Sequence, residues 1–193
     1  MKIMVDLETL STSMDASILT IGAIAFDDAG NYVDTFYRRV DRESCKELKL
    51  SERQDTIDFW SNQSAASRKE SFSPTNRLPI RDVMAEFTTF FLKNRGDELW
   101  CNGANFDEPI LSTVYERLNE ASSTDGGSVD EVGKPWKFWN VRCVRTLMAV
   151  CGKNMRDFGP VAHHALEDCK KQIEAVVYCQ KYIATGHPSR RER

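Results

Sequence analysis

Three apolar residues, Ile3-Met4-Val5, lead into Asp6, and Glu8 follows two residues later. In a β-strand, side chains two apart share a face. The spacing therefore predicts two carboxylates side by side at the end of a strand that is otherwise buried. Burial and like-charge repulsion both oppose ionisation of such a pair. A chain that keeps it needs a cation there, and a divalent metal ion is the working expectation.

The rest of the pattern places this strand in an α/β domain. Residues 2 to 7, 18 to 26 and 32 to 40 are β-rich. Asp27, Asp28, Gly30 and Asn31 form a turn between the last two, which predicts an antiparallel meander. Residues 41 to 77 are mostly polar, with a short helix over 55 to 63. Apolar residues at Val83, Met84, Phe87, Phe90 and Phe91 keep helical spacing, so 79 to 94 reads as an amphipathic helix. Leu99-Trp100-Cys101 reads as a short buried strand running into a second helix with Ile110, Leu111, Val114, Tyr115 and Leu118 on one face. Residues 119 to 134 read as a loop, 136 to 140 as a strand or extended segment, and 141 to 150 as a helix. Gly159-Pro160 breaks the chain before a last helical stripe from Ala165 to about Ala184. Strands first, then alternating helix and strand, suggest a mixed sheet flanked by helices. The expected organisation is one domain over 1–185 with a basic flexible tail at 186–193.

The net charge of −3 argues against a protein that coats duplexes through a basic surface, but not against an enzyme that grips a few nucleotides. None of the six cysteines forms a CxxC pair or pairs with a histidine at zinc-ligand spacing. No signal peptide is expected before the first strand, and no apolar run approaches the ~20 residues of a membrane span. These features lead to the expectation of a cytoplasmic protein with reduced thiols and no membrane partner.

Acidic residues recur where strands end or helices begin: Asp6 and Glu8, Asp107, and Asp168. In α/β sheets such positions gather at one edge, where ligands bind. Four carboxylates meeting there suit two Mg²⁺ or Mn²⁺ ions, which prefer oxygen ligands. His163 precedes Asp168 by five residues. The Gly159-Pro160 break lets it sit on a loop while Asp168 lies inside the helix. A histidine beside a metal pair suits a general base. Ordinary roles fit the same residues: Asp107 as a helix N-cap, Asp168 as a first-turn acid favoured by the helix dipole, and Phe106 and Trp60 as core aromatics.

Asp6-Leu7-Glu8-Thr9, Asn102-Gly103-Ala104-Asn105-Phe106-Asp107 and His163-His164-Ala165-Leu166-Glu167-Asp168 resemble, in order, the three motifs of the DEDDh or DnaQ-like exonucleases, which have a ribonuclease H-like fold. The stretch Thr56-Ile57-Asp58-Phe59-Trp60-Ser61-Asn62-Gln63 is similar to that of short phage and bacterial exonucleases related to exonuclease VIII and to mycobacterial exoribonucleases. The resemblance spans Asp6 to Asp168. It departs from the family pattern at Gly103, where Asn is frequent, and at Cys143, where an acid is frequent.

The resemblance implies metal-dependent 3′–5′ hydrolysis of single-stranded DNA or RNA, releasing nucleoside 5′-monophosphates in a bacterial or phage-infected cell. It implies that Asp6 bridges two metal ions, Glu8 and Asp168 complete one site, and Asp107 holds the second ion. It makes His163 the general base, with His164 expected to be exposed, and gives Thr9 and Leu10 to the terminal nucleotide, Leu10 as a wedge. Phe106 and Trp60 are candidate stacking partners, and a homodimer is a further expectation. The competing functions are a catalytically idle nucleic-acid-binding module on the same fold and a phosphodiesterase for a small nucleotide.

Overall fold

The computed structural model describes residues 1–124, 133–160 and 162–185. The expected tail at 186–193 lies outside the described residues. Six strands form one mixed sheet: β1 (Lys2–Thr9), β2 (Ile18–Phe26), β3 (Tyr32–Val40), β4 (Arg77–Leu78), β5 (Glu98–Cys101) and β6 (Val141–Cys143), in the order β4-β3-β2-β1-β5-β6. β1, β2 and β3 pair antiparallel, as the turn residues require. β5 pairs parallel with both β1 and β6, and β4 pairs parallel with β3.

Seven α-helices accompany the sheet among the described residues: α1 (Arg42–Glu47), α2 (Gln54–Ser61), α3 (Ala65–Phe72), α4 (Ile80–Lys93), α5 (Asp107–Thr124), α6 (Val144–Val150) and α7 (Ala165–Ala184). The pleat of β1 divides them. Its odd residues Ile3, Val5 and Leu7 face a core with Val83, Phe87 and Phe91 of α4 and Val114 and Leu118 of α5. Its even residue Met4 faces a second core with Met148 of α6 and Cys169, Ile173 and Val176 of α7. Each such large apolar side chain stabilises the fold by about 1.5–3 kcal/mol when fully buried. The sheet therefore lies between two helical layers, the ribonuclease H-like arrangement expected.

Several local expectations are corrected. The polar stretch 41 to 77 holds two further helices, α1 and α3, whose buried residues include serines (Ser44; Ser67 and Ser71), so no apolar stripe announces them. α5 continues to Thr124 through residues read as loop; 125–132 lie outside the described residues. Val141–Cys143 is an edge strand on β5, and helix begins only at Val144. Phe138–Asn140 is a 3-10 turn. Among the described residues no helix is long and apolar enough to cross a membrane, and all six cysteines are free.

Candidate active site

Met4, Asp6 and Glu8 lie on the α7 face of β1. On α7 the buried stripe runs Ala165, Asp168, Cys169, Gln172, Ile173, Val176 and Cys179. Two of its first five positions are polar where a purely structural helix would be apolar. These polar positions meet the carboxylates of β1. Ligand atoms of Asp6, Glu8 and Asp168 all lie within 4.8 Å of one another.

Gly22 makes this approach possible. It pairs with Asp6 across the β1–β2 ladder. A Cβ there would stand 2.5 Å from the Ala165 carbonyl carbon and 2.5 Å from the Leu166 nitrogen. The first turn of α7 thus rests on bare backbone, three residues before Asp168.

Hydrogen bonds orient the trio. Gln172 donates Nε2–H to Asp6 Oδ1 at 2.7 Å. Backbone N–H groups of Ala162 and His164 donate to the two Asp168 oxygens at 3.0 and 3.4 Å. Gln172 Oε1 is buried and lacks a hydrogen-bond partner among the described residues.

Asp107 arrives from the other side of β1. After β5 the chain turns through Gly103, at φ +127°, and α5 starts at Asp107. Its Oδ1 accepts the Leu7 N–H at 3.2 Å, which ties α5 to β1 between the two β1 carboxylates. It stands outside the 4.8 Å trio but acts on Asp6 and Glu8 through its charge.

Burial, followed by repulsion from Asp168 and Asp107, lifts the Glu8 carboxyl to about 8. Burial, followed by repulsion from Asp107, Glu8 and Asp168, lifts Asp6 well above the carboxylate range, against the lowering effect of Gln172. Burial lifts Asp107 to about 7, opposed by the Leu7 N–H, its own N–H and the Arg145 guanidinium. This oxygen-only donor set, crowded with negative charge, fits hard divalent cations.

His163 lies on the loop before α7 in a left-handed backbone conformation, φ +49°. Its ring meets Phe59 edge-on at 5.3 Å and Trp60 at 6.2 Å. His164 was expected to be exposed. It is instead half-buried, stacked on Tyr37 at 5.0 Å, with Nε2 3.9 Å from Glu70 Oε1. Ser67 of α3 holds the same loop by donating to the Ala162 carbonyl at 2.9 Å.

A cleft of about 360 Å³ opens beside Glu8, lined by Leu7, Thr9, Thr12, Asp55, Thr56, Phe59, Trp60 and Phe106. Trp60 is 3% exposed and donates its indole N–H to the Thr9 carbonyl at 2.9 Å, so it forms a fixed wall joining α2 to the end of β1. Phe59 and Phe106 present more accessible ring surface. Leu10, expected as a wedge, is not among the residues lining this cleft. The β1–β2 register shifts after Glu8, and Leu10 is 1% exposed, packed with Leu19 and behind the Trp60 wall.

Sequence reasoning missed Gln172 and Phe59. The first sits one helical turn beyond Asp168 on the same stripe; the second adjoins Trp60 on α2.

Fold and site together define a nuclease of the ribonuclease H-like superfamily. The chain resembles the zinc ion bound form of the E. coli ExoI–ssDNA complex over 97% of its length, with a TM-score of 0.50 and 12% identity, and spans 41% of that longer chain. Residues 1–180 match the family model of the 3′–5′ exoribonuclease Rv2179c-like domain, and the chain belongs to that family. It is 28% identical over 201 residues to an exodeoxyribonuclease of Enterobacteria phage T4, covering 92% of this chain and 88% of the phage protein. It is a DnaQ-like hydrolase, a 3′–5′ exonuclease acting on nucleic acid.

Proposed function

We propose that the chain removes nucleotides singly from the 3′ end of single-stranded DNA or RNA, using two Mg²⁺ or Mn²⁺ ions. The observation that carries this reading is the meeting of Asp6, Glu8 and Asp168 within 4.8 Å, beside an aromatic cleft of about 360 Å³. Asp6 and Glu8, with Asp168 and Asp107, would hold the ions. When bound, such ions supply a water nucleophile at neutral pH and positive charge opposite the phosphate.

The chain's own groups do the rest. Phe59, Phe106 and the Trp60 wall receive the terminal base, since aromatic faces stack on any base. A single-stranded end suits such a cleft because its last base is free to enter. Thr9 lines the same cleft, with its hydroxyl committed to the Ser11 carbonyl at 2.7 Å, so it offers shape and backbone to the terminal sugar. Gln172 keeps Asp6 turned toward the trio. His163 takes the proton as water attacks phosphorus and the 3′ oxygen of the shortened chain leaves. The products are a nucleoside 5′-monophosphate and a strand one residue shorter.

The test uses 5′-labelled single-stranded DNA and RNA with Mn²⁺, Mg²⁺ or chelator. A metal-dependent ladder shortening from the 3′ end is expected, and Asp6→Ala should abolish it. Failure to shorten either polymer with either metal would overturn the reading. Comparing the two polymers at equal length measures the preference between them.

A further inference from the structure

We infer that Arg145 is a substrate-binding residue whose guanidinium holds the phosphodiester next to the cleaved bond on its 5′ side. The inference rests on the exonuclease reading above.

Arg145 is the second residue of α6 and is exposed. Most other arginines are committed: Arg38, Arg39 and Arg42 to glutamates, Arg77 to backbone carbonyls, and Arg142 to Glu98 and the Trp139 carbonyl. Arg145 makes no ion pair or side-chain hydrogen bond among the described residues.

It nonetheless lies beside the Gly103 turn that delivers Asp107. Its Nη1 lies 3.5 Å from where a Gly103 Cβ would be, and Asn105 Oδ1 lies 3.4 Å from the same point. Its charge reaches Asp107, opposing part of the rise that burial imposes on that carboxyl. Asp107 does not absorb it, being 3% exposed and bonded to the Leu7 N–H. A guanidinium left free beside buried acids has its donor fork available to an outside anion, and that fork matches a phosphate.

The position selects which phosphate. The aromatic cleft that takes the terminal nucleotide lies on the α2 side of the β1 end, at Thr9 and Trp60. Arg145 starts α6 after β6, two strands from β1 on the opposite side. A strand with its last base in the cleft and its scissile phosphate at the carboxylates continues past Asp107 toward Arg145.

The experiment combines Arg145→Gln and Arg145→Lys with oligonucleotides carrying one neutral methylphosphonate at the second linkage from the 3′ end. For unmodified substrate, Arg145→Gln should lower kcat/KM roughly tenfold to a hundredfold, mostly through KM, the range for a hydrogen bond to a charged group. Arg145→Lys should recover part of it, because the charge is kept and the fork lost. The methylphosphonate should cost the wild-type protein a similar factor and cost Arg145→Gln almost nothing further. Unchanged kcat/KM in Arg145→Gln, or two losses that multiply as independent effects, would overturn the inference. A residue that merely tunes Asp107 would give multiplying losses and an altered Mn²⁺-induced rise in Tm. Wild-type cleavage of the unmodified strand shows that the exonuclease reading stands while the Arg145 assignment is being judged.

Discussion

Charge crowding at the site should make the metal-free protein lose stability as the pH rises through neutrality. Glu8 carries its proton up to about 8 in the folded chain against 4.5 when unperturbed. A raised carboxyl leaves stability intact below the unfolded value and removes it progressively until the folded value is reached. The slope is about 1.4 kcal/mol per pH unit. Between pH 5 and 7.5 Glu8 alone therefore costs about 3 kcal/mol, or roughly 6–12 °C in Tm for a domain of 150–250 residues. Asp6 and Asp107 push in the same direction. The carboxylates held below their usual range, such as Asp15, Asp34 and Glu52, act only at more acidic pH and do not offset this. The assay is thermal unfolding in chelator at pH 5 to 7.5, for the wild type and Glu8→Gln. The wild type should fall by the stated amount and Glu8→Gln by clearly less. Mn²⁺ should flatten the wild-type profile, since one ion at 100 times its dissociation constant adds about 2.7 kcal/mol. A wild-type Tm that stays level or rises over this range, or a Glu8→Gln profile parallel to it, would refute the reasoning.

His163→Ala should lower kcat by about 10²–10⁴, the usual contribution of a general base, whereas His164→Ala should act mainly on stability; kcat and Tm measured for both variants check the assignment. Gln172→Leu removes the hydrogen bond that favours ionised Asp6, so the acid limb of the activity–pH profile should move upward and half-saturation should need more Mn²⁺. Gly22→Ala places a methyl against the α7 backbone; overpacking of this kind costs about 1–3 kcal/mol, and both Tm and metal-supported activity should fall together.

The site was legible in the sequence wherever chemistry coincided with periodicity. Asp6 and Glu8 were readable from a period of two, and the last helix from a stripe of 3.6. What periodicity could not carry was lost. α3 buries Ser67 and Ser71 rather than an apolar row, so its sequence reads as loop, although it braces the loop bearing His163. β6 has only three residues, all half-buried, and merges into the helical pattern that follows. Leu10 was given its role by family position, which says nothing of burial; in this chain the side chain is 1% exposed and packs with Leu19 and Trp60. Gln172 was overlooked because an uncharged amide on a helix has no distinctive signature until its partner is known.

Gly22 meets the Ala165–Leu166 backbone and the Ala165 methyl, none of which can change rotamer to take up slack. The approach of the first turn of α7 to the sheet beside the β1 carboxylates is thus gauged by the thickness of two main chains, and the carboxylates reach across it through their own side chains. Lengthening one, as in Asp168→Glu, adds a methylene to a cluster whose ligand atoms already lie within 4.8 Å of one another. Such a change should shift which cation the cluster accepts, so metal preference in this chain would be set by counting methylenes.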